Sequence, residues 1–408
     1  MDESRSFLLT TQCMKTLEDR IREFHWNRQQ PTRKTKYKLM AENEFTFYRA
    51  TCHLFYEDLA TNTALRQGPL VWICGDLHLE NFGSYRASNG LVYFDINDFD
   101  EAMLAPVSWE IARFLCSIGM ASDLWKYSAR EAEALMLVVL RAYTRQLAEG
   151  KAYAIERETS PPLIQEFFKM AERLKEKALI KTRVDWKKET LKIIKGKTLP
   201  LDKEIGQSVK SAINDFLKER YGYFKVRDVA FRIAGTGSLG VRRYVLLVND
   251  QRHNKLRLLD VKESLPSSLS PYLKCEQPRW PSEADRIVTV QGLMQYALPR
   301  FIGIAPIGGE QFIVKQLQPT SQKIDHAMCH KKMKNVETVM TTMAWAMASA
   351  QLRSAARKGA AGVEELMKFS LDPLWQASLV QTAIDYTRVM KGYFQEYQKL
   401  FKKGIMND

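Results

Sequence analysis

The chain has 408 residues, of which 45% are hydrophobic and 26% charged. That balance gives a globular protein with a large core and room for two or three domains, and it excludes a disordered chain, a collagen-like fibre and a coiled-coil rod. With 61 Lys and Arg against 47 Asp and Glu, the formal net charge is +14, which favours anionic partners: nucleotides, phosphorylated substrates, nucleic acid or acidic lipid.

Met14, Leu17, Ile21 and Phe24 stand at helical spacing within Cys13–Trp26. The basic segment Arg28–Lys38 contains Pro31 and reads as a loop or arm, and Phe45–Ala60 reads as one helix that carries Arg49. After the turn at Gly68-Pro69 comes a short buried strand, Leu70–Cys74. Phe82–Arg86 and Leu91–Ile96 form a hairpin around Asn89-Gly90, a pair that supplies the positive φ angles a tight turn needs. Helices are expected at Val107–Met120, Ala129–Ala148 and Pro161–Lys177. Lys175–Lys197 carries a local charge of +6 and reads as a solvated connector or as a surface for an anionic substrate. Strands follow at Asp228–Ala234, Arg242–Val248 and Leu256–Val261, then a proline- and serine-rich loop, Leu265–Pro281. Ser282 caps a helix over Ser282–Ala297, strands lie at Phe301–Ile307 and Gln311–Leu317, and Met333–Arg357 and Pro373–Lys402 are helical.

The six cysteines are widely spaced with no CxxC pair, and they read as reduced thiols. The N-terminus lacks the basic start and long apolar core of a secretory signal. The most apolar helical stretch, Ala134–Leu140, is far short of the roughly 20 residues of a membrane span. The expectation is a soluble, cytoplasmic protein. His326, Cys329 and His330 form half of a zinc site without a second ligand pair, or simply a helix face.

Two constellations carry chemistry. The first is Gly75-Asp76-Leu77-His78-Leu79-Glu80-Asn81, followed across the hairpin by Asp95-Ile96-Asn97-Asp98-Phe99-Asp100. A carboxylate after a buried strand can face a substrate hydroxyl, while Asn81 and a later carboxylate hold Mg²⁺ on nucleotide phosphates; phosphoryl transfer needs little more than such positioning and charge neutralisation. The second is Gly235-Thr236-Gly237-Ser238-Leu239-Gly240. The residues after it, Val241–Val248, favour a strand rather than the helix of a dinucleotide fingerprint, so the glycines sit in a strand–turn–strand loop whose N–H groups can cover phosphates. Lys262 ends the next strand and can meet the α- and β-phosphates. An EF-hand reading of Asp95, Asn97 and Asp100 fails, because residue 100 is not Gly and residue 106 is Pro.

Together these motifs resemble the protein-kinase-like and aminoglycoside-phosphotransferase superfamily. Gly75-Asp76-Leu77-His78 with Asn81 is similar to the catalytic loop of antibiotic and choline kinases, and Asp98-Phe99, twelve residues before Glu110, is similar to their metal-binding Asp and the following acidic helix. Much of the chain looks like a bacterial family known only as a domain of unknown function and regarded as kinase-like, with Asn97-Asp98-Phe99-Asp100-Glu101 a distinctive run. The resemblance implies an α+β, two-lobed, protein-kinase-like fold with permuted lobe order, since the catalytic hairpin precedes the glycine loop. It implies a helical catalytic region at 1–220, a β-rich nucleotide region at 221–320 and a helical tail at 321–408 that packs back.

The implied function is ATP- and Mg²⁺-dependent phosphotransfer to an unidentified acceptor, small molecule or protein. Asp76, Asn81 and Asp98 are then catalytic; Gly235, Thr236, Gly237, Ser238, Gly240 and Lys262 bind ATP. Asn81 and Asp98 ligate Mg²⁺, with Asp95 in support or on a second metal. Glu283 and Gln291 compete as partner of Lys262. Ala350-Gln351-Leu352-Arg353 departs from the family's Ala-His-Ala-Arg. The rival readings are a nucleotide-binding pseudokinase, an AMP-transferase on the same fold, and a metallophosphoesterase, whose further His motifs are missing among only six histidines.

Overall fold

The computed structural model describes residues 15–66, 68–318 and 332–406. The chain starts with four short helices, α1 (Leu17–His25), α2 (Gln30–Met40), α3 (Glu44–Ala50) and α4 (Cys52–Leu59). The expected loop at Arg28–Lys38 is therefore mostly α2. Pro31 sits in its first turn, where a missing N–H breaks no helical bond. The single helix expected over Phe45–Ala60 is broken at Thr51, which leaves helical geometry and donates its hydroxyl to Phe47 O at 2.8 Å.

The strand β1 (Leu70–Ile73) and the hairpin β2 (Phe82–Arg86) and β3 (Val92–Ile96) follow the sequence reading closely. The short β4 (Met103–Pro106) pairs with β1 and leads into α5 (Val107–Ser122), which is buried along its whole length. Next come α6 (Ala129–Ala148), α7 (Pro162–Arg173), α8 (Glu176–Arg183), the short strands β5 (Val184–Asp185), β6 (Thr190–Leu191) and β7 (Thr198–Leu199), and α9 (Lys203–Arg220). The run expected at Pro161–Lys177 is thus split between α7 and α8.

The strands β8 (Phe224–Arg232), β9 (Arg243–Asp250) and β10 (Lys255–Glu263) precede α10 (Glu283–Met294), which Ser282 caps as expected. Then follow β11 (Gly303–Ile307) and β12 (Glu310–Gln316), and finally α11 (Met333–Ser354), α12 (Val363–Leu371) and α13 (Leu374–Lys402). The fold is mixed α+β, with an antiparallel six-stranded sheet ordered β11-β12-β10-β9-β8-β7.

Strand alternation gives this sheet two apolar faces, and each needs a cover. On one face Leu246, Val248, Leu259, Val261 and Val314 pack under Val209, Ile213, Phe216 and Leu217 of α9. On the other, Ala230, Val245, Leu247, Leu258 and Leu317 pack under Ile180, Val184 and Leu191. The basic connector therefore belongs with the sheet, upstream of the boundary expected at residue 220. In the other direction, Ala284, Ile287, Val290 and Met294 of α10 join the helical core. That core centres on α5 and α6, with α11 and α12 packed on α6 and α13 running along α5.

Among the described residues no helix is long and apolar enough to cross a membrane. Cys52, Cys74, Cys116 and Cys275 form no disulfide. Cys13 and the candidate zinc cluster His326, Cys329 and His330 lie outside the described residues.

Candidate active site

β1 delivers the chain to Gly75, which has φ +84°; a Cβ there would lie 2.2 Å from Glu101 O, so only glycine fits. Glu110, on the first turn of α5, fixes this bend by accepting from the N–H groups of Cys74 (2.8 Å) and Gly75 (3.3 Å). Burial drives the Glu110 pKa up to about 7. Gln351, the departure from the family pattern, is buried in the helical core, where it accepts from the Tyr143 hydroxyl; it does not line the cleft.

Asp76 follows Gly75. Its Oδ1 accepts from Arg113 Nε and Nη2 at 3.1 and 2.7 Å. Burial opposes the Asp76 charge, but the fully buried Arg113 overrides it and holds the carboxyl below its usual range. Arg113 is in turn sandwiched by aromatic rings, 3.7 Å from the Tyr48 centroid and 5.3 Å from that of Phe55. His78 Nδ1 accepts from the Glu80 N–H, and its Nε2 lies between Arg49 Nε at 3.4 Å and Asp76 Oδ2 at 3.9 Å. Burial and then the charge of Arg49 push the His78 pKa down to about 3, so its ring is neutral. Asn81 donates from Nδ2 to Asp76 O at 2.6 Å, which leaves its side-chain oxygen for a ligand.

The hairpin separates the two candidate metal carboxylates. Asp95 points into the protein, where it accepts from the N–H groups of Ile96 and Tyr296 and pairs with Arg353 at 3.0 Å. It does not line the cleft. Asp98 does, together with Asp76, Asn81 and Asp100. Surrounding protein and then the neighbouring Asp100 charge raise the Asp98 pKa. Glu101 is taken up by the Ser268 N–H and the hydroxyls of Ser267 and Ser268.

The sheet closes the other side. The glycine loop joins β8 to β9, with φ +76° at Gly235 and +91° at Gly240. Gly235, Thr236, Gly237 and Ser238 line the cleft, whereas Gly240 packs behind it against Arg28. Lys262 reaches across the cleft to pair with Asp100. Neither residue expected as its partner touches it: Glu283 pairs with Arg286, and Gln291 bonds Gln295. Arg286 instead donates to the carbonyls of Asp100 and Ala102, tying α10 to the acidic segment.

Of the site residues expected from the sequence, Asp76, Asn81, Asp98, Gly235, Thr236, Gly237, Ser238 and Lys262 meet in one cleft of about 300 Å³, drawn from segments some 160 residues apart, whereas Asp95, Gly240, Glu283 and Gln291 do not line it. Arg28, Arg113, Asp100 and Arg353 carry no assigned role in the sequence expectations, although Asp100 and Arg353 stand inside motifs quoted there. Arg113 had a signal, as the sole basic residue in an apolar helix, one turn beyond Glu110. Arg28 was hidden in a run of basic residues.

Among the described residues no group of three His, Cys, Asp or Glu side chains is arranged as a metal cage. Asn81 with Asp98 and Asp100 nevertheless suits Mg²⁺, which is commonly held by one or two carboxylates completed by phosphate oxygens and water.

The fold and cleft define an α+β protein whose six-stranded sheet faces a carboxylate-bearing helical body. The model of a family described as an uncharacterized protein conserved in bacteria (DUF2252) matches residues 28–400, and the chain belongs to that family. No curated protein and no solved structure matches it.

Proposed function

We propose that the protein is an ATP- and Mg²⁺-dependent phosphotransferase with a permuted, protein-kinase-like fold. The observation that carries this reading is the meeting of Asp76, Asn81 and Asp98 with Lys262 and the glycine loop around one cleft. The connectivity supports it: a glycine turn between two antiparallel strands, a lysine on the third, then a helix and two further strands, as in a kinase nucleotide lobe.

In this reading the N–H groups of Gly235–Ser238 cover the nucleotide phosphates, and Lys262 exchanges Asp100 for the α- and β-phosphates. Asn81 and Asp98 would hold Mg²⁺, which supplies charge neutralisation at the transferring group. Asp76, kept ionised by Arg113, orients the acceptor hydroxyl and takes its proton. The acceptor oxygen bonds to the γ-phosphorus as the bond to the β,γ-bridging oxygen breaks, and ADP leaves with that electron pair. A depressed Asp76 pKa suits orientation more than strong general-base action, in keeping with a transition state that asks little of the base.

Incubation with γ-labelled or α-labelled ATP and Mg²⁺ tests the proposal. Label from the γ position alone in an acceptor is expected. Transfer from the α position would replace the reading with AMP transfer, and nucleotide binding without any transfer would replace it with a pseudokinase.

A further inference from the structure

The N-terminal helices form one wall of the cleft and are tied to its glycine loop. Gln29 N–H donates to Gly240 O at 2.9 Å, and Lys36 Nζ donates to Gly237 O at 2.8 Å. A Cβ on Gly240 would lie 2.5 Å from Arg28 Cβ and 3.1 Å from its Cδ, so the stem of the Arg28 side chain packs directly on the loop. Phe24, Asn27, Arg28 and Arg49 face the cleft from this wall, opposite Lys262 and the acidic segment.

Among the described residues, the lysine and arginine side chains that line the cleft are ion-paired apart from Arg28. Lys262 has Asp100, Arg113 has Asp76, Arg49 has Glu80 at 2.7 Å, and Arg242 has Glu263. Arg28 makes no ion pair. Its Nε and Nη1 are shut off from solvent without an acceptor, and the guanidinium rests over the Phe24 ring, 5.8 Å from its centroid. Guanidinium N–H groups buried without acceptors are costly, and their fork geometry matches phosphate and carboxylate oxygens.

We infer that Arg28 forms an anion subsite for the acceptor, and that the acceptor is a small molecule bearing a phosphate or carboxylate group rather than a protein side chain. This rests on the phosphotransfer reading. The enclosing wall and the 300 Å³ cleft suit a small molecule beside the nucleotide phosphates, and the unpaired guanidinium supplies the charge such an acceptor needs.

Calorimetric titration of inorganic phosphate and of acetate into wild type, Arg28→Gln, Arg28→Met and Lys262→Ala, with and without saturating Mg·ADP, tests the inference. One anion should bind wild type and lose about tenfold or more in affinity in both Arg28 variants. Lys262→Ala should retain that binding, and thermal melting should show the Arg28 variants folded, since no protein hydrogen bond is removed. Tighter binding of phosphate than of acetate assigns a phosphate-bearing acceptor, and the reverse a carboxylate. Unchanged affinity in both Arg28 variants overturns the subsite, as does failure of wild type to bind either anion. Loss confined to Lys262→Ala overturns it too, by placing the anion on the nucleotide clamp. Failure of Mg·ADP to bind wild type counts against phosphotransfer instead, and the Arg28 comparison without nucleotide still reads the subsite.

Discussion

Arg113 directs two N–H groups at a single oxygen of Asp76, at 2.7 and 3.1 Å, and leaves the other carboxylate oxygen to the cleft. Asp76→Asn should keep nucleotide affinity and lower transfer by roughly 10²–10⁴-fold. Arg113→Met strands the carboxylate and should cost about 3–5 kcal/mol of stability. Turnover assays and urea melts check the pair; an Asp76→Asn variant with full turnover would remove the residue from the chemistry.

The Lys262–Asp100 pair crosses the cleft with Asp100 about a third open to water, so it is worth about 0–1 kcal/mol to the fold. Lys262→Ala should melt near wild type while losing ATP affinity or transfer rate. Hydrogen exchange should show ATP protecting residues 235–240 in wild type. Protection confined to other segments would contradict the clamp.

Asp98 and Asp95 should separate cleanly. Asp98→Asn is expected to raise the Mg²⁺ requirement for transfer. Asp95→Ala leaves the Arg353 guanidinium without its carboxylate and should destabilise by about 3 kcal/mol. A sharp rise in Mg²⁺ requirement in Asp95→Asn, with none in Asp98→Asn, would reverse the assignment.

Glu110 gives the stability a pH signature. Its pKa rises from an ordinary 4.5 to about 7 on folding, so the fold prefers the protonated acid. Its contribution is full below about pH 4.5 and is lost as pH climbs through 7. Glu110→Gln keeps an acceptor for the Cys74 and Gly75 N–H groups. Relative to wild type it should gain about 2–3 kcal/mol between pH 5 and pH 8. Parallel urea-melt profiles for the two proteins would show that Glu110 does not titrate in this range.

The β-hairpin, the glycine turn and the capped α10 were legible because short-range signals decide them: Asn89-Gly90, the β-branched run after Gly240, and Ser282. The break at Thr51 was not, since threonine sits as readily inside a helix, as Thr342 and Thr387 do with the same bond four residues back. α9 escaped because its apolar residues gain meaning only from the sheet face they cover. In the cleft, residue types announced Asp76, Asn81 and Lys262, whereas the partners Arg113 and Asp100 were set by side-chain geometry across elements. Asp95 lies within β3 and pairs with Arg353, while Asp98 lies beyond the end of that strand and lines the cleft.

The placement of α11 and α13 has a consequence for synthesis. α5 and α6 leave the ribosome well before the helices that cover them, Met333–Ser354 and Leu374–Lys402. At about 5–20 residues per second the intervening chain takes roughly 10–50 s to appear. Throughout that interval the apolar sides of α5 and α6 await their covers, so truncation before α13 is expected to leave apolar surface exposed, which aggregation of the shortened chain would report.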